Sequence, residues 1–493
     1  MTQEAAQAVR WNIRPFIGGR YRDSSAQEPY DNINPATETV LCRYPAGNAA
    51  DVNAAVRTAR ERFEDGSWSG LPPARRGEIL VKLAELIRKH ASELALLDTL
   101  EMGKPIQAAR YDAEHLAPSL LSSWAGFADK LLGETAPLCG GTVSFNVYEP
   151  RGVIGAIAPW NFPCLNAIYK LGPALAAGNT LVLKPSELSP SSALKVAELA
   201  LEAGVPEGVL NIVPGLGPTV GEPLVAHPDI DMVSFTGSTA TGRRVMELCA
   251  RSKSKPLMLE CGGKSPQVVF DDIEDPDAVA AAIVQSVLWN QGQVCGSHTR
   301  LLVHERIKRD LLERVVSRAK TYKPSDPLDE RTNFGPLASP TQRSRVKSYI
   351  EQGLRDGAEA VLKGEIREEG GCYVSPTIFD RVQPNMSIVQ QEIFGPVLCV
   401  QTFASEQEAL AHTNGTEYGL AATVWTRDAG RGRRMAQAIK AGAVFVRTSG
   451  KEGPDPGCEL SFEPRKASGF GSERGLAGLQ SYSALKWINF SGA

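Results

Sequence analysis

The sequence predicts an α/β fold with two parallel-sheet lobes and a smaller third element. Apolar strands alternate with helices in two separate stretches of the chain, one beginning at Gly152 and the other at Pro266. Short links that contain glycine or proline join these elements, which is typical of stacked β-α-β units. The chain has 493 residues, enough for about three units of ~150 residues each.

The first stretch contains four strands rich in apolar residues. They are predicted at GVIGAIAP (152–159), TLVLK (180–184), VLNIV (209–213) and MVSFTG (232–237). One helix is predicted over 164–177, because Gly178 ends it, and another runs from a Ser189-Pro190 cap through Ala203. Ahead of this stretch, apolar residues at helical spacing predict one amphipathic helix over 73–103.

The second stretch repeats the alternation. Strands are predicted at QVVF (267–270), TRLLVH (299–304), VLCVQTF (397–403) and AATVWT (421–426). Helices are predicted over 276–290 and 306–320, and the Pro/Gly-rich segment 448–458 is interpreted as a long loop. A further small element is expected from 128–150 and the C-terminal tail.

Composition and charge exclude several classes of protein. Hydrophobic residues make up 42% and charged residues 22% of the chain, which excludes intrinsic disorder. Basic and acidic residues number 53 and 56, with no run of five like charges. Because binding to a phosphate backbone depends on clustered Lys and Arg, we expect no nucleic-acid partner.

The sequence also predicts a cytoplasmic protein without a membrane segment. The N-terminal residues lack the apolar stretch of a signal peptide, and no window approaches 18 apolar residues. Nine cysteines, an odd number without CxxC pairs, are typical of reduced thiols. The six histidines are dispersed and no HExxH motif occurs, so we expect no metal site.

Three polar residues stand in settings suited to carbonyl chemistry. Cys295 lies among small residues after an apolar helix, where its sulfur is accessible, although most cysteines are inert apolar residues. Glu260 ends the strand PLMLE before two glycines, which suits a general base in a cleft or, alternatively, a surface turn. Asn161, in Pro-Trp-Asn-Phe-Pro, has a rigid backbone that suits an oxyanion donor or an Asx turn.

Nucleotide-binding signals are present but incomplete. Lys184 and Glu187 follow a strand and can bind vicinal ribose hydroxyls, or form an exposed ion pair. The segment 215–221 has the spacing GxGxxxG, one residue longer than the usual dinucleotide fingerprint. The segment FTGS (235–238) begins a helix whose amides can face a phosphate.

Six motifs taken together are far more specific than any one of them. PWNFP, KPSE, FTGS, LECGGKSP, GQVC and EIFGPV occur in this order, and the chain resembles the NAD(P)-dependent aldehyde dehydrogenase superfamily. The resemblance runs from Asn34 to Lys486, essentially the whole chain. It implies an aldehyde dehydrogenase-like α/β fold whose nucleotide domain binds its cofactor without the usual glycine fingerprint.

The resemblance implies a role for each catalytic candidate. Cys295 is expected to be the nucleophile, Glu260 the general base, and Asn161 the oxyanion donor beside the backbone N–H of Cys295. Lys170 and Glu473 resemble a proton relay behind Glu260. The implied reaction oxidises an aldehyde to a carboxylic acid through a cysteine thioester, which water then hydrolyses.

The resemblance also implies the cofactor contacts. Lys184 and Glu187 are expected on the adenosine ribose, and Glu392 and Phe394 at the nicotinamide ribose and ring. The full predicted set is Trp160, Lys184, Glu187, Gly217, Gly221, Phe235, Gly237, Ser238, Gln342, Glu392 and Phe394. Because a carboxylate repels a 2′-phosphate, Glu187 predicts NAD rather than NADP as the preferred cofactor.

Three domains follow from the resemblance. Residues 1–127 and 151–261 are expected to form the NAD-binding domain, and 262–477 the catalytic domain. Residues 128–150 and 478–493 resemble the family's oligomerisation arm, so a homodimer or homotetramer is expected.

The substrate is the least determined feature. By family position the substrate-contacting residues are Phe162, Asn166, Tyr169, Trp289, Arg447 and Phe462. Their aromatic character predicts medium-chain or aromatic aldehydes. Arg447 stands where the family usually has Asn, and it would suit a semialdehyde with a distal carboxylate. Neutralisation of Arg447 by nearby acidic residues is the favoured alternative; these residues are Glu452, Asp455, Glu459 and Glu463.

Two other functions are weighed against this one. A CoA-acylating semialdehyde dehydrogenase shares the fold but typically lacks the base, so Glu260 argues against it. A non-enzymatic structural protein on this fold would be expected to lack a catalytic group, and none is missing here.

Overall fold

Two large β-sheets organise the chain, as the alternating pattern predicts. The structure is a computed structural model that describes residues 8–26, 28–136, 142–448 and 460–491. The first sheet has eight strands and the second has seven. Both are parallel in their centres, because each successive strand returns after a helical crossover.

The first sheet carries the strands predicted between 152 and 237. In spatial order its strands are Arg20–Tyr21, Phe16–Ile17, Leu210–Ile212, Thr180–Lys184, Val153–Ile157, Met232–Thr236, Leu257–Glu260 and Gly469–Phe470. Helices pack on both faces of this sheet. The α-helices in this half of the molecule are Ala49–Glu64, Pro73–Lys89, Ala91–Met102, Ile106–Tyr111, Ala117–Phe127, Pro163–Ala176, Ser191–Ala203, Glu222–Ala226, Thr239–Arg251 and Gly475–Ser481.

Alternating side chains of the central strands supply two separate cores. Leu181 and Leu183 point to one face, where the helices Pro163–Ala176 and Ser191–Ala203 cover them. Val182 points to the other face and packs with the cluster under Ala49–Glu64. These strands are apolar at every position because both faces of the sheet are covered.

The second sheet is built in the same way. Its strands in spatial order are Glu359–Leu362, Thr377–Asp380, Val397–Phe403, Arg300–His304, Pro266–Val269, Ala421–Trp425 and Ala443–Arg447. Its helices are Pro276–Leu288, Lys308–Ala319, Pro340–Arg355, Ser387–Gln390, Glu406–Asn414 and Ala429–Ala438.

Three two-stranded sheets complete the described fold. They pair Pro29–Asn34 with Thr39–Pro45, Tyr418–Gly419 with Arg465–Lys466, and Thr142–Pro150 with Ser483–Ser491. The last pair is a nine-residue antiparallel ribbon that joins the middle of the chain to its C-terminal segment. It falls within the two ranges that the sequence assigns to the small element.

Some details differ from the sequence predictions. The single helix predicted over 73–103 is wrong: two helices meet at His90, and the second, Ala91–Met102, turns inward and is buried over most of its length. Ser189 does not cap the helix Ser191–Ala203, because its hydroxyl donates to the carbonyl of Trp160 instead.

One strand crosses the predicted domain boundary. Gly469–Phe470 lies in the range assigned to the catalytic domain, yet it pairs with Leu257–Glu260 at the edge of the first sheet. The division into three domains stays a prediction. Residues 449–458 of the predicted loop 448–458 lie outside the described residues.

The helix Ala49–Glu64 was not predicted, although its signal is present in the sequence. The side chain of Asn48 accepts hydrogen bonds from the backbone N–H groups of Ala50 and Asp51, and Asp51 accepts one from Asn48. This reciprocal capping box begins the helix.

A buried ion pair lies beneath the first sheet's helical layer. The ammonium of Lys104 donates to Asp112, and neither residue is more than 1% exposed. Lys104 also lies 3.5 Å from the ring centroid of Phe162. Because burial disfavours both charges, it raises the pKa of Asp112 and lowers that of Lys104.

We predict that Asp112→Asn lowers the free energy of unfolding by ~3–5 kcal/mol, because it removes the hydrogen-bonded counter-charge of the buried Lys104 ammonium. The other carboxyl group near Lys104, that of Asp98, has its own pKa raised to about 7 by burial. The matched control is Asp129→Asn, which breaks an exposed Asp-Lys pair with Lys130. Urea unfolding of both variants measures the difference. Equal losses of stability in the two variants would contradict the prediction.

Candidate active site

The largest group of predicted site residues lines one cavity between the two sheets. The cavity has a volume of about 310 Å³. Its walls begin where three neighbouring strands of the first sheet end, at Ile157, Thr236 and Glu260. The carboxyl ends of parallel strands are the usual place for a ligand in such a sheet.

Cys295 reaches this cavity on a strained turn. The helix Pro276–Leu288 ends, and Asn290, Gln291 and Gly292 all adopt positive φ angles of 49°, 58° and 74°. At Gly292 a Cβ atom would lie 2.3 Å from the carbonyl oxygen of Gly395, so no larger residue fits. The turn reverses the chain and leaves Cys295 partly exposed in the cavity wall.

Hydrogen bonds fix the chain on either side of Cys295. Before it, the side-chain oxygen of Gln293 accepts from the backbone of Ala338 at 2.9 Å. After it, Ser297 donates to the carbonyl of Ser286, and His298 bonds Ser286 and Thr423 through its two ring nitrogens. Burial and then Arg447 lower the pKa of His298 to about 4, which favours the neutral imidazole.

Asn161 faces the same turn from the first lobe. Its Nδ2 donates to the carbonyl oxygen of Gln293 at 3.0 Å, and its Oδ1 accepts from Asn166 at 3.1 Å. Its backbone carbonyl accepts from Asn290 at 2.8 Å. These bonds fix which way the amide points, and an amide nitrogen has a second hydrogen to donate.

Glu260 ends its strand inside the cavity. The residue is 8% exposed, and its Oε1 is buried without a hydrogen-bond partner among the described residues. Burial raises its pKa well above the ordinary carboxyl range, and the charge of Glu473 raises it further, while Lys170 opposes the shift. The group therefore holds its proton more tightly than a surface glutamate.

A buried polar chain lies behind Glu260. Lys170 donates to Thr236 Oγ1 at 2.6 Å and to Glu473 Oε1. The same Glu473 oxygen accepts from Ser234 at 3.1 Å, and Ser234 in turn accepts from the hydroxyl of Tyr482 at 2.9 Å. The structure thus brings the predicted pair Lys170 and Glu473 into one network.

The far end of the cavity contains several predicted cofactor residues. Glu392 accepts from the backbone of Gly263 at 3.1 Å, and burial raises its pKa to about 7. Phe394 has a φ of 61°, and the amide of Gln342 holds its carbonyl at 2.7 Å. The ring of Trp160 packs edge-on against Phe394 at 5.2 Å. Gly237 and Ser238 line the cavity where the helix Thr239–Arg251 begins.

The remaining cofactor candidates lie outside this cavity. Lys184 ends the neighbouring strand, and its ammonium lies 3.4 Å from Glu187 Oε2 and 2.9 Å from the carbonyl of Pro185. Gly221 packs on the Lys184 side chain, in the turn that begins at Gly217. Phe235 is 2% exposed and lies beneath Gly237, so its ring faces the core.

Five of the six predicted substrate residues line the cavity. They are Phe162, Asn166, Tyr169, Trp289 and Phe462. The rings of Phe162 and Trp289 meet at 5.2 Å. Arg447 is not among the lining residues; its guanidinium lies 5.4 Å from the ring of Phe445, at the end of the second sheet.

Sequence reasoning missed Arg474, which does line the cavity. Its Nη2 donates to the hydroxyl of Tyr169 at 2.9 Å, and its guanidinium lies 5.5 Å from the ring centroid of Phe462. The sequence offers one signal for Arg474, namely that it directly follows the predicted site residue Glu473.

Among the described residues, no group of three His, Cys, Asp or Glu is arranged to hold a metal ion.

Comparison with known proteins decides the family. The sequence profile described as "Aldehyde dehydrogenase family" matches residues 21–488, nearly the whole chain. The chain belongs to the aldehyde dehydrogenase family. It is an oxidoreductase that uses NAD(P), as the resemblance implied.

Two curated relatives match this aldehyde dehydrogenase along almost its full length. The NADP/NAD-dependent aldehyde dehydrogenase PuuC of Escherichia coli is 42% identical, over 99% of this chain and 98% of the relative. The aminoacetaldehyde dehydrogenase of Pseudomonas aeruginosa is 41% identical, over 97% of this chain and 96% of the relative.

Solved structures confirm the predicted fold class. An indole-3-acetaldehyde dehydrogenase in complex with NAD+ superimposes with a TM-score of 0.96 at 42% identity, covering 99% of this chain and 98% of that one. A γ-glutamyl-γ-aminobutyraldehyde dehydrogenase of Burkholderia cenocepacia gives 0.94, also at 42% identity, with coverage of 99% and 98%. No helix in the described part of this aldehyde dehydrogenase has the length and apolarity to cross a membrane.

The thiol of Cys295 supplies a pH prediction. Burial, followed by the charges of Glu260 and Glu392, raises the pKa of Cys295 to about 12. We predict that alkylation of Cys295 by iodoacetamide accelerates roughly tenfold for each pH unit between about 7 and 10, because only the thiolate reacts. Peptide mass spectrometry follows this one residue, with buried Cys261 as an internal control. A rate plateau below about pH 9 would contradict the prediction.

Proposed function

We propose that this enzyme oxidises aldehydes to carboxylic acids through a thioester on Cys295, which is then hydrolysed by water. One observation carries the proposal: a cysteine, an amide donor and a buried carboxyl group, from Cys295, Asn161 and Glu260, line one cavity. A nucleophile, an oxyanion donor and a base are the groups that acyl chemistry requires.

The first step is addition to the aldehyde. Glu260, in the same cavity, takes the proton of the Cys295 thiol. The sulfur then attacks the carbonyl carbon, and the carbonyl oxygen takes the electron pair of the C=O π bond. Asn161 Nδ2 and the backbone N–H of Cys295 donate to this oxyanion. The bond from Asn161 to Gln293 supports the assignment, because it holds the amide nitrogen against the turn that carries Cys295.

The residues at the far end fit a nicotinamide cofactor. Such a cofactor would supply the hydride acceptor for oxidation of the substrate carbon held on Cys295. Its nicotinamide end and phosphates would be held by Trp160, Phe394, Glu392, Gly237 and Ser238. Gln342 would keep Phe394 in place through its hydrogen bond to the Phe394 carbonyl. The start of the helix Thr239–Arg251 offers backbone N–H groups that suit a pyrophosphate. The ring of Phe235 lies directly beneath Gly237 and supports its backbone, so it would not itself contact the cofactor.

The last step is hydrolysis of the thioester. Glu260 removes a proton from water, which attacks the acyl carbon and releases Cys295. Because burial raises its pKa, the Glu260 carboxylate is a stronger proton acceptor than a surface glutamate. Lys170 and Glu473, hydrogen-bonded to each other behind Glu260, provide a path for that proton to leave.

We predict that Glu260→Gln gives a burst of NADH with steady turnover reduced by ~10²–10⁴-fold, because deacylation loses its base while hydride transfer remains. Cys295→Ser should lose both the burst and the turnover, since a hydroxyl is far less ionised than a thiol. Stopped-flow absorbance at the NADH wavelength measures both. Wild-type turnover in Glu260→Gln would reject the assignment.

The same assay separates hydrolysis from acyl transfer. A CoA-acylating enzyme would need CoA for turnover, whereas a hydrolytic one turns over without it. We expect the wild-type rate to be unchanged when CoA is added. A requirement for CoA would favour the alternative function.

The adenosine end determines the preferred cofactor. Lys184 and Glu187 lie at the end of their strand and would bind the two ribose hydroxyls. The side chain of Glu187 is 42% exposed, so it can turn toward a ligand. A carboxylate at this place repels a 2′-phosphate, which supports NAD as the preferred cofactor, with Lys184 moderating the preference.

We predict a higher kcat/KM with NAD than with NADP, and a gain of NADP use in Glu187→Ser, because the repelling carboxylate is removed. Initial rates with each cofactor at saturating aldehyde measure the ratio. Glu202→Ser, at an exposed position on the helix Ser191–Ala203, serves as a control that should leave the ratio unchanged. An equal or reversed wild-type preference would contradict the proposal.

The cavity lining supports aldehydes with an apolar or aromatic body. Phe162, Tyr169, Trp289 and Phe462 surround its substrate end, with Leu165 and Val294 beside them. Burial of each substrate methylene group against such a wall contributes ~0.8 kcal/mol of favourable binding free energy. We therefore propose medium-chain or aromatic aldehydes as substrates. The names of the relatives and neighbours cover both aromatic and amino-substituted aldehydes.

The ribbon of Thr142–Pro150 and Ser483–Ser491 supports self-association. Its large apolar side chains are unusually exposed, with Trp487 at 75%, Phe490 at 60% and Leu485 at 57%. Such a surface is typical of an interaction site. We propose that a second copy of the chain covers it in a homodimer or homotetramer.

The seven described cysteines are all free, which supports a cytoplasmic location.

A further inference from the structure

A second, much smaller cavity lies beside the second sheet and shares no lining residue with the active-site cavity. It has a volume of about 10 Å³, roughly the space that one water-sized sphere requires. Its walls include Pro266 and Arg300, where two neighbouring strands begin, and Asn414, where a helix ends. Lys264 and exposed Lys440 also line it, whereas no described aspartate or glutamate does.

Two of the cations that line this cavity are buried. Lys264 and Arg300 are each 1% exposed. Arg300 donates three hydrogen bonds, to the carbonyl oxygens of Lys264, His412 and Thr413. The ammonium of Lys264, in contrast, has no hydrogen-bond partner among the described residues. A buried ammonium with unused donors is costly, because burial removes the water that would otherwise solvate it.

The acidic groups of this region do not neutralise the two buried cations. Within the described part of the chain, neither Lys264 nor Arg300 forms an ion pair with a carboxylate. Glu392, whose charge acts on Lys264, accepts a hydrogen bond from the backbone, and burial raises its own pKa to about 7. Glu417, three residues after Asn414, pairs with Arg243 at 3.1 Å. The surroundings of the cavity therefore carry a net positive charge.

The pKa values of nearby groups reflect this positive charge. Burial lowers the pKa of Lys264 to about 8, and the charge of Arg300 contributes to the lowering. Burial also lowers the pKa of Lys466, with further contributions from Arg300 and Lys440. Burial raises the pKa of the Cys399 thiol beside Lys264, so this group offers no negative charge near neutral pH. An anion among these groups would favour their charged forms.

Thr413 adds a neutral donor to the cavity wall. The residue is 4% exposed, and its hydroxyl is buried without a hydrogen-bond partner among the residues that the structure describes. Its carbonyl accepts from Arg300 at 3.0 Å, which keeps Thr413 beside the guanidinium. An ammonium, a guanidinium and a hydroxyl therefore meet at one small cavity, and all three can donate hydrogen bonds to an anion.

We propose that this cavity binds a single chloride ion, held by Lys264, Arg300 and Thr413. The two buried charges attract the ion, and the hydroxyl completes its set of donors. Chloride is only slightly larger than a water molecule, whereas phosphate, sulfate and carboxylates exceed a cavity of about 10 Å³. A water molecule fits the same space but leaves the buried charges uncompensated.

Bromide tests the site directly, because it substitutes for chloride and scatters X-rays anomalously. Crystals of the full chain, grown without halide, are soaked in sodium bromide and measured at the bromine absorption edge. We expect an anomalous peak in the cavity within hydrogen-bonding reach of Lys264 Nζ. Peaks confined to the protein surface, or a water molecule alone in the cavity, would overturn the proposal.

Chloride should also stabilise the folded chain, because an ion that binds only the folded state shifts the unfolding equilibrium. The Tm is measured in sodium chloride and in sodium gluconate, whose anion is too large for the cavity, each at about 0.2 M. We expect the Tm to be about 1–3 °C higher in chloride. Equal Tm values in the two salts would count against a bound ion.

Variants separate a bound ion from the general effect of each salt. Lys264→Met removes the charge and keeps the length, so it should abolish the chloride-minus-gluconate difference in Tm. Thr413→Val removes one donor at nearly constant shape and should reduce the difference to less than about half. Lys323→Met, at an exposed position that does not line the cavity, should keep the whole difference.

The remaining outcomes also decide the proposal. A difference in Tm that persists unchanged in Lys264→Met would overturn it. If Lys264→Met does not fold, Thr413→Val and the bromide peak still give the answer. No aldehyde is used in either experiment, so the result is independent of the proposed reaction at Cys295.

Discussion

The site depends on hydrogen bonds that join the two lobes at Asn161. Its side chain donates to the carbonyl of Gln293, and its own carbonyl accepts from Asn290. The proposed oxyanion donor therefore comes from the first sheet's half of the molecule and the thiol from the second, and these bonds hold the two together. Pre-arranged donors of this kind need no reorganisation during reaction.

The strained turn at 290–292 is the other half of this constraint. Three successive left-handed residues are costly for Asn290 and Gln291, which have side chains, and Gly292 is confined against Gly395. The strain is offset by the hydrogen bonds of Gln293 and Asn290. The result is a sulfur held at the cavity surface on a rigid backbone.

Most of the fold was predictable because its strands are apolar throughout and its links are short. Leu181, Val182 and Leu183 face two covered sides of the sheet, so they produce an unmistakable apolar run. The break at His90 was not predictable, because the apolar pattern continues across it while the chain changes direction. The short edge strand Gly469–Phe470 has no periodicity of its own, and its pairing with Leu257–Glu260 is a tertiary effect.

The site was predictable only as an ordered set of motifs. Local sequence left Glu260 open to a surface turn and Asn161 open to an Asx turn, and only the fold brings them into one cavity with Cys295. The charged residue of the cavity was harder to predict, because sequence position alone does not say which arginine side chain enters a cavity. Arg447 ends a strand of the second sheet, whereas Arg474 follows a residue of the buried network.

The edge pairing of Gly469–Phe470 has a mechanical consequence. It attaches the chain segment of Glu473 and Arg474 to the first sheet, so this segment and the proposed base Glu260 share one rigid support. Cys295 and Glu392 belong to the second sheet's half of the molecule. The spacing between Glu260 and Glu473 therefore depends on the first sheet alone, whereas the gap between Glu260 and the sulfur depends on the bonds of Asn161 to Gln293 and Asn290.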